Sequence, residues 1–325
     1  MRLLVTGGAG FIGATTAAAL IDAGHEVTVV DDLSSGHRDA VPAAATFHRA
    51  DATDADAIRP IVADGGFDGC LHFAALIEAG ESMRAPERFF SVNTAGSATL
   101  LRVLLDHGVG RFVLSSTAAV YGEPAYTPID EAHPLQPTNA YGESKLLVER
   151  MLAWHQRIHG LRIASLRYFN AAGATPGRPE RHDPETHLVP LVLQVAAGRR
   201  ARVAIFGNDY ETPDGTAVRD YVHVADLADA HVLAVEALDD HPTLTCNLGS
   251  GRGYSVREVI EAAREVTGHA IPAGDAERRE GDPAVLVASA DRARSLLGWQ
   301  PKRTDLATMI GDAWRECDAQ DGTRR

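Results

Sequence analysis

The sequence predicts an α/β protein built on a doubly wound parallel sheet, and three observations carry that expectation. Short apolar runs suited to buried strands alternate with helical patterns through residue 168. The first run, Met1–Thr6, opens directly into a glycine-rich turn, Gly7-Gly8-Ala9-Gly10-Phe11-Ile12-Gly13, and a small-residue helix follows over 14–20. A second apolar strand, Glu26–Val30, ends in two acids, Asp31 and Asp32.

Each element has its own reason. Both Gly8-x-Gly10-x-x-Gly13 and Gly7-x-x-Gly10-x-x-Gly13 fit the Rossmann-type dinucleotide fingerprint, in which glycines permit a tight turn and bring a pyrophosphate close to a helix N-terminus. Asp31 stands at the distance where an acid accepts hydrogen bonds from the adenosine ribose and repels the extra phosphate of NADP, so NAD is the expected cofactor. Asp32 reads as a loop residue at the strand end. A polar loop over 33–39 containing Ser35 leads to a short strand over 45–48, after which Asp51 and Ala52 lie where an adenine docks. Residues 69–75 form another apolar run that carries Phe73, Ala74 and Ala75, and Phe89 to Asp106 reads as one long helix containing Asn93. The repeated Ala and Leu over 93–105 suit a core or a dimer interface. Arg111–Ser116 is a buried strand that delivers Ser115 and Thr117 to its carboxyl end, where ligands of such sheets bind.

From Asn170 to Gly215 the chain turns to proline, glycine, histidine and arginine, with one helix near 188–197, as in a segment that caps a substrate. Val222 to Leu238 returns to a helical pattern, and further helices are expected over 256–267 and 292–297. The expected division is an NAD-binding domain over 1–169 with a returning segment about 218–246, and a smaller C-terminal α/β substrate-binding lobe from 170–217 and 247–325. The 325 residues suffice for both, and an apolar fraction of 45% with 23% charged residues is that of a globular protein. A net charge of −13 argues against a nucleic-acid partner. Cys70, Cys246 and Cys317 lack metal-type spacing and read as reduced thiols. The opening residues read as strand and glycine loop rather than signal peptide, no apolar stretch is long enough for a bilayer, and a cytoplasmic location is expected.

The chemistry-bearing stretch is Tyr141-Gly-Glu-Ser-Lys145. Residues i and i+4 share a helical face, so the lysine charge can sit beside the phenol and favour its phenolate. A free tyrosine has a pKa of roughly 10, so a neighbouring cation is what base chemistry at neutral pH requires. By itself Tyr-x-x-x-Lys is more often a half-buried tyrosine with a snorkelling lysine, and only the glycine turn upstream reverses that balance. His182, His187, His223 and His231 lack ligand spacing with a second carboxylate, so no metal is expected. The chain also has no Gly-x-Ser-x-Gly elbow for a hydrolase.

Seven motifs together resemble the extended short-chain dehydrogenase/reductase family: GGAGFIG at 7–13, FAALIEAGES at 73–82, SSTAAVYG at 115–122, YGESK at 141–145, RYFNAAGA at 167–174, the block at 204–231 and NLGSGRG at 247–253. The resemblance covers nearly the whole chain. It implies a UDP-sugar substrate and NAD-dependent epimerisation by transient oxidation at sugar C4, with UDP-glucose and UDP-galactose as the leading pair. Tyr141 is then the base, Lys145 its electrostatic partner, and Thr117 a bridge between the sugar O4 and the phenol. Cofactor contacts are expected at Gly7, Gly10, Phe11, Ile12, Gly13, Asp31, Asp32, Ser35, Asp51, Ala52, Phe73, Ala74, Ala75, Asn93, Ser115 and Tyr168, besides Tyr141 and Lys145. Substrate contacts implied by the resemblance are Thr117, Asn170, His187, Leu188, Arg219, Tyr221, Arg279 and Asp282, with Ala204 and Phe206 flanking the uracil. Arg219 and Arg279 suit a diphosphate through their planar forks. A homodimer is also expected by analogy.

Departures from the family pattern matter as well. Ala118 and Ala119 stand where related dehydratases carry an Asp-Glu pair, which disfavours elimination. Ile77 replaces a lysine near the cofactor ribose, His187 replaces an asparagine, and Leu286 replaces a tyrosine that limits pocket size, so acyl specificity stays open. An epimerase for UDP-N-acetylglucosamine or UDP-glucuronate remains an alternative. A non-catalytic NAD-binding regulator is a more distant one.

Overall fold

Strand–turn–helix alternation organises the first half of the chain: β1 (Arg2–Thr6), α1 (Phe11–Asp22), β2 (Glu26–Asp31), β3 (Thr46–Arg49), α2 (Ala55–Gly65) and β4 (Gly69–His72). The protein was analysed as a computed structural model, which describes residues 1–279 and 282–322, with side chains described to Cys317. Two helical turns, α3 (Ala79–Ser82) and α4 (Pro86–Phe89), precede a widened π-type stretch at Phe90–Gly96 and then α5 (Ser97–Asp106). The single helix expected over 89–106 is therefore corrected to two helix types, with Asn93 in the widened part. There its side chain bonds Leu76 and Ser144. Next come β5 (Arg111–Thr117), α6 (Ala140–His159), β6 (Arg162–Tyr168), β7 (Asn170–Ala172), α7 (Leu188–Ala196) and β8 (Val203–Phe206). The rest is β9 (Val218–His223), α8 (Val224–Ala237), β10 (Thr243–Leu248), β11 (Gly253–Ser255), α9 (Val256–Thr267), β12 (Ala273–Ala276), β13 (Val285–Leu286), α10 (Asp291–Leu297) and α11 (Leu306–Gly322).

Seven strands make one parallel sheet in the order β10-β6-β5-β4-β1-β2-β3. Strand order reverses between β1 and β4, so a crevice opens there at the carboxyl ends, as the doubly wound fold requires. One face packs α1 and α8 against Leu3, Val5, Val29 and Leu166, and the other packs α2, α5 and α6 against Leu4, Cys70, Phe112 and Leu114. The Ala/Leu repeat of α5 belongs to this second core, since Leu100, Leu101, Val103 and Leu104 are buried.

A four-stranded sheet, β11-β9-β13 with β7 on β9, and a two-stranded pair, β12-β8, share a third core under α7, α9 and α11. Residues Val218–His223, expected inside a helix or in the segment returning to the large sheet, form β9 of this smaller sheet instead. Residues 290–299 go the other way: Ala290, Ala293, Leu297 and Trp299 pack into the core of the large sheet. Among the described residues no helix is long and apolar enough to cross a membrane.

Two glycines fix the crevice. Gly7 has φ +70°, and a Cβ on it would lie 2.4 Å from the Ala74 amide nitrogen at the end of β4. A Cβ on Gly13 would lie 2.2 Å from the Gly7 carbonyl oxygen, so α1 can sit against the turn only without a side chain there. Because both obstacles are backbone, Gly13→Ala is expected to cost about 3 kcal/mol and to lower the melting temperature by about 4 °C, measured by calorimetry. An unchanged melting temperature would show that the turn can move aside.

Candidate active site

At the amino end of α1, Gly10 provides no side-chain cap, and the first turn contains no acid, so the helix end faces the crevice with its N–H groups unclaimed by side chains. Asp31 is buried beside it. One carboxylate oxygen accepts from the Ala9 amide at 2.9 Å and the other from Leu33 at 2.8 Å. Burial raises the Asp31 carboxyl, and these two hydrogen bonds oppose the rise. Each oxygen keeps a second lone pair, which is what a ribose hydroxyl needs.

Around this point the expected cofactor residues are only partly gathered. Phe11 and Ser35 line a small cleft with Ala9, His37, Arg178 and His182. Asp32 accepts from the Ser34 amide and hydroxyl, and Asp51 from those of Thr53, as local turn formers. Ala52 is buried in the second core, Phe73 stacks on His231 with centroids 4.8 Å apart, and the Ala74 amide donates to Thr6. Asn93 braces the chain: it bonds both backbone groups of Leu76 and the Ser144 hydroxyl.

Across β4 from the glycine turn, β5 delivers Ser115 and Thr117 to its carboxyl end. The Thr117 hydroxyl accepts from the Ala119 amide at 3.1 Å, forming a short helical turn at 118–120. The first turn of α6 lies directly on this one. A Cβ on Gly142 would come 2.5 Å from the Ala119 carbonyl oxygen, so the glycine between Tyr141 and Lys145 is a packing requirement that the sequence reading did not recognise. The Asn139 side chain caps α6 through the Gly142 amide at 2.8 Å.

Tyr141, Thr117 and Lys145 do come together, with one correction. Burial pushes the Tyr141 phenol up to about 12, the charge of Glu78 acts in the same direction, and a hydrogen bond from Thr117 opposes both. The Lys145 ammonium donates to the Ser115 carbonyl at 2.9 Å. Burial lowers Lys145 to about 8, while Glu149 works to hold it charged. Burial, rather than a neighbouring charge, therefore dominates the phenol among the protein's own groups. Tyr168 closes the cluster. Burial pushes its hydroxyl upward, with Ser115 hydrogen-bonding it and Tyr141 close by.

Behind these groups lies a buried polar network that the sequence reading missed. Arg167 Nε donates to Glu149 at 3.0 Å, Arg167 Nη1 donates to the Tyr121 hydroxyl at 2.9 Å, and that hydroxyl donates to Asn247 at 2.6 Å. The Ser116 hydroxyl also donates to Glu149. The signal was present, since Glu149 follows Lys145 by four residues on the same helical face.

The expected substrate residues lie on the smaller sheets. Asn170 pairs with Tyr221 across β7 and β9, Arg219 pairs its guanidinium with Asp282, and Leu286 of β13 sits beside Arg219. Leu286 also packs against the buried cluster of Ala118 and Tyr121, beside Thr117. In β8, Val203 and Ile205 face the core, which turns Ala204 and Phe206 to the other side, and the Arg279 guanidinium lies 4.1 Å from the Phe206 ring centre.

His187 precedes α7, and Leu188 is the first residue of that helix. Burial alone would lower the His187 ring, yet Glu180 and Glu185 hold it up at about 10. The histidine reading is corrected here. His182 and His187 do have two carboxylates between and beside them, and the donor atoms of Glu180, His182, Glu185 and His187 all lie within 4.8 Å of one another.

A Rossmann-type sheet with a glycine turn facing a Tyr-Lys helix defines a dinucleotide-dependent oxidoreductive site, and the comparisons with known proteins agree. Residues 3–249 match the NAD dependent epimerase/dehydratase family, and the chain belongs to it. The chain is 51% identical over 314 residues to a UDP-glucose 4-epimerase of Corynebacterium glutamicum, covering 97% of this chain and 95% of the relative. It is 53% identical to a UDP-glucose 4-epimerase of Streptomyces lividans, with 96% and 95% covered. A solved UDP-glucose 4-epimerase from Brucella ovis, in complex with NAD, superposes with a TM-score of 0.94 at 42% identity, covering 97% of each chain.

Lys145 gives a pH-dependent prediction. A lysine lowered to about 8 on folding binds fewer protons than its unfolded counterpart between pH 8 and its ordinary 10.5. The resulting destabilisation is fully present below pH 8 and is relieved as pH rises toward 10.5. Lys145→Met is therefore expected to be more stable than wild type at pH 7, with the gap in urea midpoint narrowing between pH 8 and 10. A gap independent of pH would mean that Lys145 is not buried in its charged form.

Proposed function

We propose that this protein interconverts UDP-glucose and UDP-galactose through transient oxidation at sugar C4. The reading rests on Tyr141 with the Thr117 hydroxyl against it and Lys145 fixed on Ser115, all at the carboxyl end of β5, two strands from the glycine turn.

The uncapped α1 end, the Gly7 and Gly13 positions that a Cβ would fill, and buried Asp31 fit a dinucleotide pyrophosphate and ribose. Bound there, NAD+ would supply the acceptor and later the donor of the C4 hydride, and a positive ring that favours the Tyr141 phenolate disfavoured by the protein's own groups. Tyr141 takes the O4 proton, with the Thr117 hydroxyl orienting both oxygens. Lys145 keeps positive charge behind the phenol. Arg219 and Arg279 hold the diphosphate, so that the ketone can turn about that anchor and present its other face, where Tyr141 gives the proton back to O4. No net redox change results. The face of β8 bearing Ala204 and Phe206 packs on the uracil, with Asn170, His187, Leu188 and Tyr221 completing the sugar-nucleotide contacts.

Two lobes carry this out: one based on the seven-stranded sheet for the cofactor, the other on the smaller sheets for the nucleotide sugar. The functional unit is a homodimer in the cytoplasm, without nucleic-acid or membrane partners. Exposed Trp154 and Ile158 stand one turn apart on α6, an outward apolar pair that a second copy would cover.

Purified Tyr141→Phe, saturated with NAD+, is expected to lose about 10²–10⁴-fold in kcat with UDP-galactose while retaining its cofactor, followed by NMR of the sugar anomeric signals. Wild-type turnover by this variant would remove the assignment. Arg219→Ala should mainly raise KM for the UDP-sugar; a change confined to kcat would place Arg219 away from the diphosphate.

A further inference from the structure

Between the glycine-turn side of the molecule and the start of α7 runs a short segment, 178–187, in which Glu180, His182 and Glu185 have no part in the chemistry above and only His187 is assigned to the substrate. Arg181 fixes its near end by pairing both guanidinium nitrogens with Asp39, and the His37 ring bonds the Arg181 carbonyl at 3.0 Å. At its far end His187 leads into α7. Within this segment two acids and two histidines point at one another.

We propose that Glu180, His182, Glu185 and His187 form a binding site for one divalent transition-metal cation of the zinc class. Four donor separations support it. His182 Nδ1 lies 3.2 Å from Glu180 Oε1 and 3.8 Å from Glu185 Oε2, and His187 Nδ1 lies 2.9 Å from the same Glu180 oxygen and 3.0 Å from Glu185 Oε1. A tetrahedral cation with ligands at about 2.0–2.1 Å spaces its donors about 3.4 Å apart, and one donor atom from each of the four residues lies within 4.8 Å of the others, so a small inward shift closes such a shell. Their alternation of nitrogen and carboxylate oxygen matches the borderline ligand preference of Zn2+.

An ion-pair cluster without metal accounts for His187 but less well for His182. Both rings aim the same nitrogen at one Glu180 oxygen, yet His182 Nδ1, buried and 3.2 Å from that oxygen, is not aligned for a good hydrogen bond to it. An N–H there would be a buried donor with a misaligned acceptor, whereas a deprotonated nitrogen facing a cation is fully satisfied. Outer support is also in place: Glu185 Oε1 accepts from the Thr186 and His187 amides at 2.7 and 2.8 Å, which fixes the carboxylate. The Glu180 and Glu185 side chains are only 7% and 5% exposed, so water competes little for them. Bound there, the cation would staple the segment carrying His187 and Leu188 to the rim of the cofactor crevice.

The test uses tag-free full-length protein, stripped with chelator and titrated with Co2+ and Zn2+. Expected are one equivalent of Zn2+ retained through gel filtration, intense visible bands of four-coordinate Co2+, and a rise in melting temperature on the order of 5 °C with excess Zn2+. In the double variant Glu180→Gln/His182→Gln the bands should vanish, while His155→Gln/His159→Gln, which removes the stacked surface pair, should keep them. No retained equivalent, weak six-coordinate Co2+ bands, or bands lost only with the 155/159 pair would each overturn the site. Because the readout is binding rather than turnover, it stands or falls separately from the epimerase reading.

Discussion

A lysine ammonium held in the protein interior is the constraint around which the centre is built. Desolvation opposes its charge strongly, and the chain answers with a carbonyl acceptor on Ser115 and a carboxylate, Glu149, one helical turn away. Glu149 is buried too, and Arg167 and Ser116 hold it. Arg167 in turn needs Tyr121, and Tyr121 needs Asn247, so β5, β6, β10 and α6 meet in one hydrogen-bonded network at the carboxyl end of the sheet. The position of Lys145 thus depends on strands far apart in sequence, and any of these groups left unpaired would be a buried polar atom without a partner.

The opposite wall of the crevice is shaped by backbone contact rather than charge. Gly7 rides on Ala74, Gly13 on Gly7, and Gly142 on Ala119, so α1 and α6 both approach the sheet ends at distances only glycine permits. A dinucleotide pyrophosphate and a sugar need those two helix ends brought to the same crevice, and close backbone packing supplies that without polar side chains that would compete for the ligand.

Burial leaves Tyr141 a weaker acid than free tyrosine, which bears on how the family's chemistry operates. Positive charge brought beside such a phenol would favour its ionised form.

The sequence alone determined the doubly wound sheet, because apolar runs of period and length suited to buried strands alternate with helices, and it determined the cofactor class, because the glycine turn and Asp31 are local features within one β-α-β unit. It also marked Tyr141 and Lys145, since a helical spacing of four is readable along the chain, while Thr117 came from the resemblance of its motif to the family. The tertiary structure decided what depends on contacts between distant segments: that desolvation lifts the phenol, that Asn93 spends its side chain on Leu76 and Ser144, that residues 218–223 join the smaller sheet, and that two carboxylates close on His182 and His187. Burial and convergence are properties of the packed chain, and no one-dimensional pattern fixes them.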